Sequence, residues 1–332
     1  MLVKRIKKLE GIDPKSWEHP ADTAALSALK QMKGLDELVK ILMSATVERS
    51  LKLLALSSCI KVSPNQYPKL QAILENVVEV FDWDYTPDLF VSQNPFWNAG
   101  AVGVKEPFII LNTSLVRWCT EDELTSVVAH EMGHIMSGHS LYKTLILLLT
   151  NLSLSVIPMA EIIILAIKAA LLEWDRKSEL TADRAGLLAV QDGSSSYNLL
   201  MKMAGADSLS EVNLNEIFKQ AEEYENKKSI LDSTHKLLNQ LWESHPFPVV
   251  RLQELKSWEM SGYYQSILDG NYKRRDYTEN NVKEDIKSGY SYYKDSFQSE
   301  ANPLSNIFGN VGDSIGKAAE NIGRKVDDLF NK

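Results

Sequence analysis

Of the six histidines in this 332-residue chain, two stand four apart in Val127 to His139, VVAHEMGHIMSGH. On a helix, His130 and His134 lie one above the other on one face, with roughly 5–6 Å between their Cβ atoms. That separation lets both imidazoles bind one zinc ion at about 2.0–2.1 Å. Glu131 stands between them, placed to take a proton from an attacking water rather than to bind the ion. The chemistry such a set can do is hydrolysis, with a metal to polarise a carbonyl and a carboxylate to move a proton. A site of that kind needs three protein ligands and one open position, so a third ligand must come from elsewhere in the chain.

A histidine ten positions after the first would mark the metzincin arrangement, but Ser140 stands there and His139 falls one residue short. His139 reads as a structural histidine at a helix end, and His19 and His235 have no ligand-like neighbours in sequence. Glu179, within Arg176-Lys177-Ser178-Glu179-Leu180-Thr181-Ala182-Asp183, is a better candidate. It falls on a predicted helix far enough beyond His134 for an intervening helical hairpin to return the chain. Asp183 follows four later on the same face, where a carboxylate could accept the free ring N–H of a ligand histidine and fix its tautomer. A solvated acidic helix face has the same pattern, and spacing alone leaves those two readings level.

The elements that must hold these residues can be read around them. Thr120-Glu121-Asp122-Glu123 reads as an N-cap with an acidic first turn, and apolar Leu124, Val127 and Val128 follow it, so the HExxH segment is expected on a buried helix. Ahead of it the period changes. Asp88–Gln93, Gly100–Val104 and Phe108–Asn112 are short, apolar and bounded by Pro, Gly and Asn, as strands of one small sheet would be. Residues 1–20 look like an extended or frayed lead. Ala21 to Lys33 reads as a helix capped by Asp22 or Thr23 and stopped at Gly34, Leu35 to Ser57 as an amphipathic helix, and Tyr67 to Val80 as another.

Leu141 to Trp174 is ambiguous. The uncharged run Thr144 to Ala160 is thinned by Thr150, Asn151, Ser153 and Ser155 and broken at Pro158, whereas a membrane span takes about 20 mostly apolar residues. A buried helical hairpin fits; a membrane-dipping hairpin or a pair of spans is the alternative. Trp174 to Val190, Leu209 to Trp242 and Val249 to Met260 are further helical stretches. Pro303 to Lys332 is amphipathic but weakened as a helix by Gly309, Gly312, Gly316 and Gly323. It would dock on a partner or a membrane surface, or stay solvated.

A net charge of −8, without a basic block beyond Lys4 to Lys8, excludes nucleic acid as a partner. Cys59 and Cys119 form no CxxC pair, which favours a reducing compartment. The basic N-terminus has no apolar run behind it, so a secretory signal is not expected. The expected location is cytoplasmic, with membrane association as the alternative.

HEMGH, then Arg176-xx-Glu179-xx-Ala182-Asp183, then Ser244-His245-Pro246 with Arg251 six residues after the histidine, resembles the gluzincin metallopeptidases of the HtpX and CaaX-prenyl-protease type. Asn98-Ala99 ahead of the Phe108 to Leu115 strand and turn is similar as well. The likeness covers roughly residues 60 to 260, in the family's order and spacing. It implies one zinc per chain on His130, His134 and Glu179, with Glu131 as general base. It implies that Asp183 backs a ligand histidine, that His245 steadies the oxyanion and that Arg251 supports the cleft. His245 precedes Pro246, and Pro248 follows, so its backbone is stiff enough for that task; capping the helix near Val249 is the other reading. The resemblance also makes Phe108, Ile109, Ile110, Leu111 and Asn112 the edge strand on which an extended peptide is laid antiparallel, near Asn98 and Ala99. Two features depart from the family: no clear membrane span precedes the HExxH helix, and Gly100 follows Asn98-Ala99 where a bulkier residue is common.

The expected architecture is therefore α+β and mostly helical. A zincin-type metallopeptidase domain over 61–260 is preceded by a helical segment, 1–60, and followed by a Tyr-rich segment with an amphipathic tail, 261–332. The expected activity is zinc-dependent endoproteolysis of unfolded or damaged proteins, with peripheral membrane contact open to 141–174 or 303–332. The alternative is a membrane-associated peptide-binding or chaperone-like adaptor that uses the cleft without turnover. Glu131 argues against it, because a pure binder has no use for a base beside a metal.

Overall fold

A computed structural model describes residues 6–30, 35, 39, 45–151, 158–226 and 247–275. The predicted helix end beyond Lys30, the second half of the Leu209 to Trp242 stretch, His235, His245 and the 303–332 tail lie outside the described residues. In chain order come α1 (Pro20–Lys30), α2 (Ala45–Ser58), β1 (Ile60–Lys61), α3 (Pro68–Val80), β2 (Leu89–Ser92), β3 (Ala99–Val102) and β4 (Phe108–Asn112). Then follow α4 (Thr113–Trp118), α5 (Glu121–Met136), α6 (Ser140–Asn151), α7 (Pro158–Val190) and α8 (Gly193–Met203). The last are α9 (Leu214–Asn226), α10 (Pro248–Met260) and α11 (Tyr263–Leu268). The fold is α+β and mostly helical, with one small mixed sheet.

Helix α5 starts where the capping residues place it. Glu123 N–H donates to Thr120 Oγ1 at 3.3 Å, and Glu123 Oε2 accepts from Thr120 N–H at 2.7 Å. Three acidic residues in the first turn complement the positive helix end. From there α5 is buried nearly throughout, packed along the C-terminal half of α7. Small residues set that approach. A Cβ on Gly133 would lie 2.7 Å from Ala185 Cβ and 3.3 Å from Ala182 Cα, and one on Gly186 would lie 2.8 Å from Ser126 Oγ. The glycine inside HEMGH is thus one of two points where only the lack of a side chain lets the helices come this close.

The sheet has the order β1-β2-β4-β3, with β2 and β4 parallel and the other pairs antiparallel. This corrects the expectation that Phe108–Asn112 is an edge strand: β4 is bonded on both sides, and β3, beside it, forms one edge of the sheet. The physical reason is visible in β4 itself. Phe108, Ile109 and Leu111 are buried on both faces of the strand, as a central strand requires. Asn112 N–H donates to Asn98 O at 3.1 Å. By the antiparallel pattern, Gly100 and Val102 also bond to β4, and the backbone groups of Ala99 and Ala101 point away from it. Past Val102 the edge closes, because Gly103 N–H donates to Thr144 Oγ1 on α6 at 2.9 Å.

Residues 6–19 are not a frayed lead. Leu9, Ile12 and Trp17 are fully buried in the same cluster as Leu124, Val128 and Leu188, and Tyr264 and Ile267 of α11 join it. Leu9 N–H donates to Val80 O, Asp13 N–H to Lys273 O, and the Trp17 ring meets Phe81 at 5.3 Å. These apolar side chains follow no helical or strand period, so each finds its own socket. Helix α1 is capped not by Asp22 or Thr23 but by His19, whose Nδ1 accepts from Ala21 N–H at 3.1 Å. The Asp22 carboxylate turns inward instead.

His19 itself carries a pH-dependent term. Its ring is buried, and burial holds its pKa down to about 4 even though Glu254 pulls the other way. An unfolded histidine titrates near 6.5, so between the two values the unfolded state binds a proton that the folded state does not. Stability therefore falls as pH drops through that window, by roughly 3 kcal/mol at most. His19→Asn keeps an acceptor for the helix cap and should flatten this part of the profile. Urea midpoints between pH 6.5 and 4 test it, and identical slopes in the two proteins would refute it.

The ambiguous stretch forms α6 and the first part of α7. Tyr142, Leu145, Leu149, Ile167, Leu171 and Trp174 make a second buried cluster with Leu29 and Leu35. None of the described helices is long and apolar enough to cross a membrane.

Candidate metal centre

Helix α5 presents His130 and His134 with ring centroids 4.8 Å apart, and α7 presents Glu179 and Asp183 one turn apart against them. His130 Nε2 lies 3.4 Å from Glu179 Oε2, and His134 Nε2 lies 3.2 Å from Glu179 Oε1. An ion with tetrahedral ligands at about 2.0–2.1 Å keeps their atoms roughly 3.3 Å apart, so these separations suit one small cation. Among the described residues this is a group able to hold a metal ion, and all three members are buried. The acidic-face reading of Glu179 is excluded, because its side chain is wholly buried.

Among the buried side-chain atoms that have no hydrogen-bond partner among the described residues are His134 Nε2 and Glu131 Oε2. Leaving a buried polar atom unpaired costs about 1–3 kcal/mol, and both belong to residues that a metal and an attacking water would engage. The donor set therefore fits a bound metal.

Behind the ligands, His130 Nδ1 meets Asp183 Oδ1 at 3.0 Å. Arg251, from the first turn of α10, donates twice to Asp183, at 2.7 and 2.6 Å, and its Nη1 stands 3.1 Å from Glu179. Burial alone would raise the Asp183 carboxyl, but Arg251 and His130 together outweigh it and hold the group below the usual carboxylate range. Burial likewise works against a charged His130, yet Glu179 and Asp183 lift it to about 9. His134 moves the opposite way, pushed well down by burial and by the nearby Lys143.

Sequence reasoning missed Lys143, and it read His139 only as a structural helix-end histidine and Asp22 only as a helix cap. Lys143 Nζ, on α6, donates to Asp175 at 2.7 Å and to Glu179 Oε1 at 2.9 Å. A signal existed: it is a lone cation opening an apolar helix, and Asp175 sits four before Glu179. His139 packs beneath His134, because Gly138 at φ +70° turns the chain back at the end of α5.

Asn98 and Ala99 line a cavity of about 40 Å³ beside His130 and Glu131, with Trp97, Leu199, Leu200 and Met203 on its apolar wall. Phe108 to Asn112 do not line it. Asn112 instead braces the loop before β3, its side-chain amide donating to Phe96 O at 3.1 Å. His245 lies outside the described residues, although Phe247 (φ 61°) and Pro248 next to it open the helix that carries Arg251.

Two histidines and a carboxylate around one point, with a buried glutamate beside them, define a metal-dependent hydrolase. The model of Peptidase family M48 matches residues 64–259, and the chain belongs to that family of metallopeptidases. It is 33% identical over 262 residues to the plastoglobule-localized metallopeptidase 48, chloroplastic, of Arabidopsis thaliana, across 77% of this chain and 76% of that one. It is 29% identical over 98 residues to a protease HtpX homolog of Helicobacter acinonychis (strain Sheeba), across 29% of this chain and 32% of that one. No solved structure matches it.

Proposed function

We propose that the protein is a zinc-dependent endopeptidase for extended segments of unfolded or damaged proteins, with His130, His134 and Glu179 holding the ion. The observation that carries this reading is the trio of buried ligand atoms beside the unpartnered Glu131 Oε2. Two imidazoles and one carboxylate suit zinc better than calcium or magnesium, which prefer oxygen alone. A bound zinc ion would polarise the scissile carbonyl and make water acidic enough to attack near neutral pH. Glu131 takes the proton from that water and passes it to the leaving amine. Asp183 orients His130, and Arg251 holds Asp183 in place. His245 keeps the oxyanion role that its Ser-His-Pro setting implies.

The peptide lies antiparallel on β3, an edge strand of the sheet beside the cleft, so β3 takes the role first given to Phe108–Asn112. The wall of Trp97, Leu199, Leu200 and Met203 favours an apolar side chain next to the cut. Chelation should abolish casein cleavage and added zinc restore it, and Glu179→Ala should no longer retain zinc. Unchanged zinc content in that variant would show that the third ligand is misplaced.

We also infer a peripheral rather than an inserted relation to membranes. The buried cluster of α6 and α7 supports it, and a relative named as plastoglobule-localized is in keeping with it. High salt or alkaline carbonate should release the protein from membrane fractions. Resistance to both would mean that 141–174 inserts.

A further inference from the structure

Both histidines of the proposed metal centre have their rear nitrogens engaged, but by different parts of the chain. His130 is backed directly by Asp183, inside the segment that matches the family model. His134 Nδ1 lies 3.1 Å from His139 Nδ1, and His139 Nε2 lies 3.1 Å from Asp22 Oδ2, at ion-pair range though off the N–H line. Asp22 sits in the first turn of α1, outside residues 64–259. Its carboxylate is fully enclosed: Oδ1 accepts from Trp174 Nε1 at 2.9 Å and Oδ2 from Thr181 Oγ1 at 2.6 Å. Trp174 also stands edge-on to His139, with centroids 5.4 Å apart.

We infer that Asp22 and His139 are positioning residues for the metal ligand His134, so that a segment ahead of the catalytic region completes the metal centre. The inference rests on the metal-centre reading above. If His134 binds through Nε2, its proton must sit on Nδ1, where it donates to His139 Nδ1. His139 must then accept at Nδ1 and carry its own proton on Nε2, the atom that faces Asp22. The carboxylate thereby fixes two tautomers in sequence and aims the His134 ring at the ion. Outer partners of this kind typically account for about 10–100-fold in metal affinity. A buried carboxylate serving only α1 would need no histidine between itself and a metal ligand.

The test is zinc affinity of the full chain by competition with a chromophoric chelator, together with the visible spectrum of the cobalt-loaded protein. Asp22→Asn should weaken zinc by about 10–100-fold and shift the cobalt bands. His139→Met, which offers His134 no comparable acceptor, should do the same. His139→Gln should recover most of the affinity, because its amide can accept from His134 and donate to Asp22. Wild-type affinity and spectrum in Asp22→Asn and His139→Met would overturn the proposal, and so would equal losses in His139→Met and His139→Gln, which would mark a packing role. If Asp22→Asn fails to fold, the His139 pair decides. Glu179→Ala belongs in the same series. Should it keep zinc, the metal-centre reading itself fails; should it lose zinc while the Asp22 and His139 variants keep theirs, only the present proposal fails.

Discussion

Glu131→Gln should leave the protein folded and charged with metal while peptide hydrolysis falls by roughly 10²–10⁴-fold. Glutamine has nearly the same shape, so packing on α5 is preserved, and neither His130, His134 nor Glu179 is touched. What disappears is the ability to take a proton, since an amide oxygen is far too weak a base. The Oε2 atom makes no hydrogen bond among the described residues, so the exchange breaks no folded-state contact at that oxygen. The loss should appear in kcat and leave KM little changed, because the missing interaction belongs to the transition state. Steady-state rates on a quenched fluorescent peptide, with zinc measured on the same samples, test this. A variant within a few-fold of wild-type kcat would remove Glu131 from the chemistry.

Arg251→Met should lower the stability of the metal-free protein by about 3–5 kcal/mol, the scale seen when one partner of a buried ion pair is deleted. Arg251 is 4% exposed and faces two carboxylates, Asp183 and Glu179, that are 7% and 0% exposed. Without it, among the described residues Asp183 keeps His130, and Glu179 keeps Lys143 and the two histidines. Zinc would supply positive charge at Glu179, so the penalty should shrink in the loaded protein, and the gap between the two melting temperatures should widen in the variant. Arg251→Lys restores the charge without the forked pair of donors and should recover only part of the loss. Denaturant midpoints of stripped and loaded samples decide it. A stripped variant as stable as wild type would mean that the Arg251 fork holds nothing together.

The placement of His130, His134 and Glu131 on one helix was legible because a helix of known period converts spacing directly into geometry. The capping residues Thr120 and Glu123 also marked the start of α5, and both requirements are local. Strand order was not legible in the same way. Three strands were read close to their true bounds, but which of them lies at the edge depends on pairing across the chain, and only the two-sided apolarity of Phe108 to Leu111 hinted that β4 is central. Lys143 was missed, and His139 and Asp22 were read only as a helix-end histidine and a cap, because each reaches the site through a tertiary approach. Lys143 needs α6 folded back on α7, His139 needs the turn at Gly138, and Asp22 needs α1 laid against Trp174 and Thr181. The lead at residues 6–19 was misread because Leu9, Ile12 and Trp17 fill separate sockets and so leave no periodic trace.

The contact of Gly133 with Ala185, and of Ser126 with Gly186, bears on how the molecule admits a substrate. With backbones this near and no long side chain between them, α5 and α7 cannot slide without overlap, so the distance from the histidines to Glu179 stays constant through a turnover cycle. Room for a polypeptide must then come from the opposite side of the cleft, where β3 is anchored at one end by Thr144 and at the other by the loop braced by Asn112. The reacting groups belong to a tightly packed helix pair and the entrance to a separate rim of strand and loop. Selection for new substrates can therefore rework the rim freely while the chemistry behind it stays as it is.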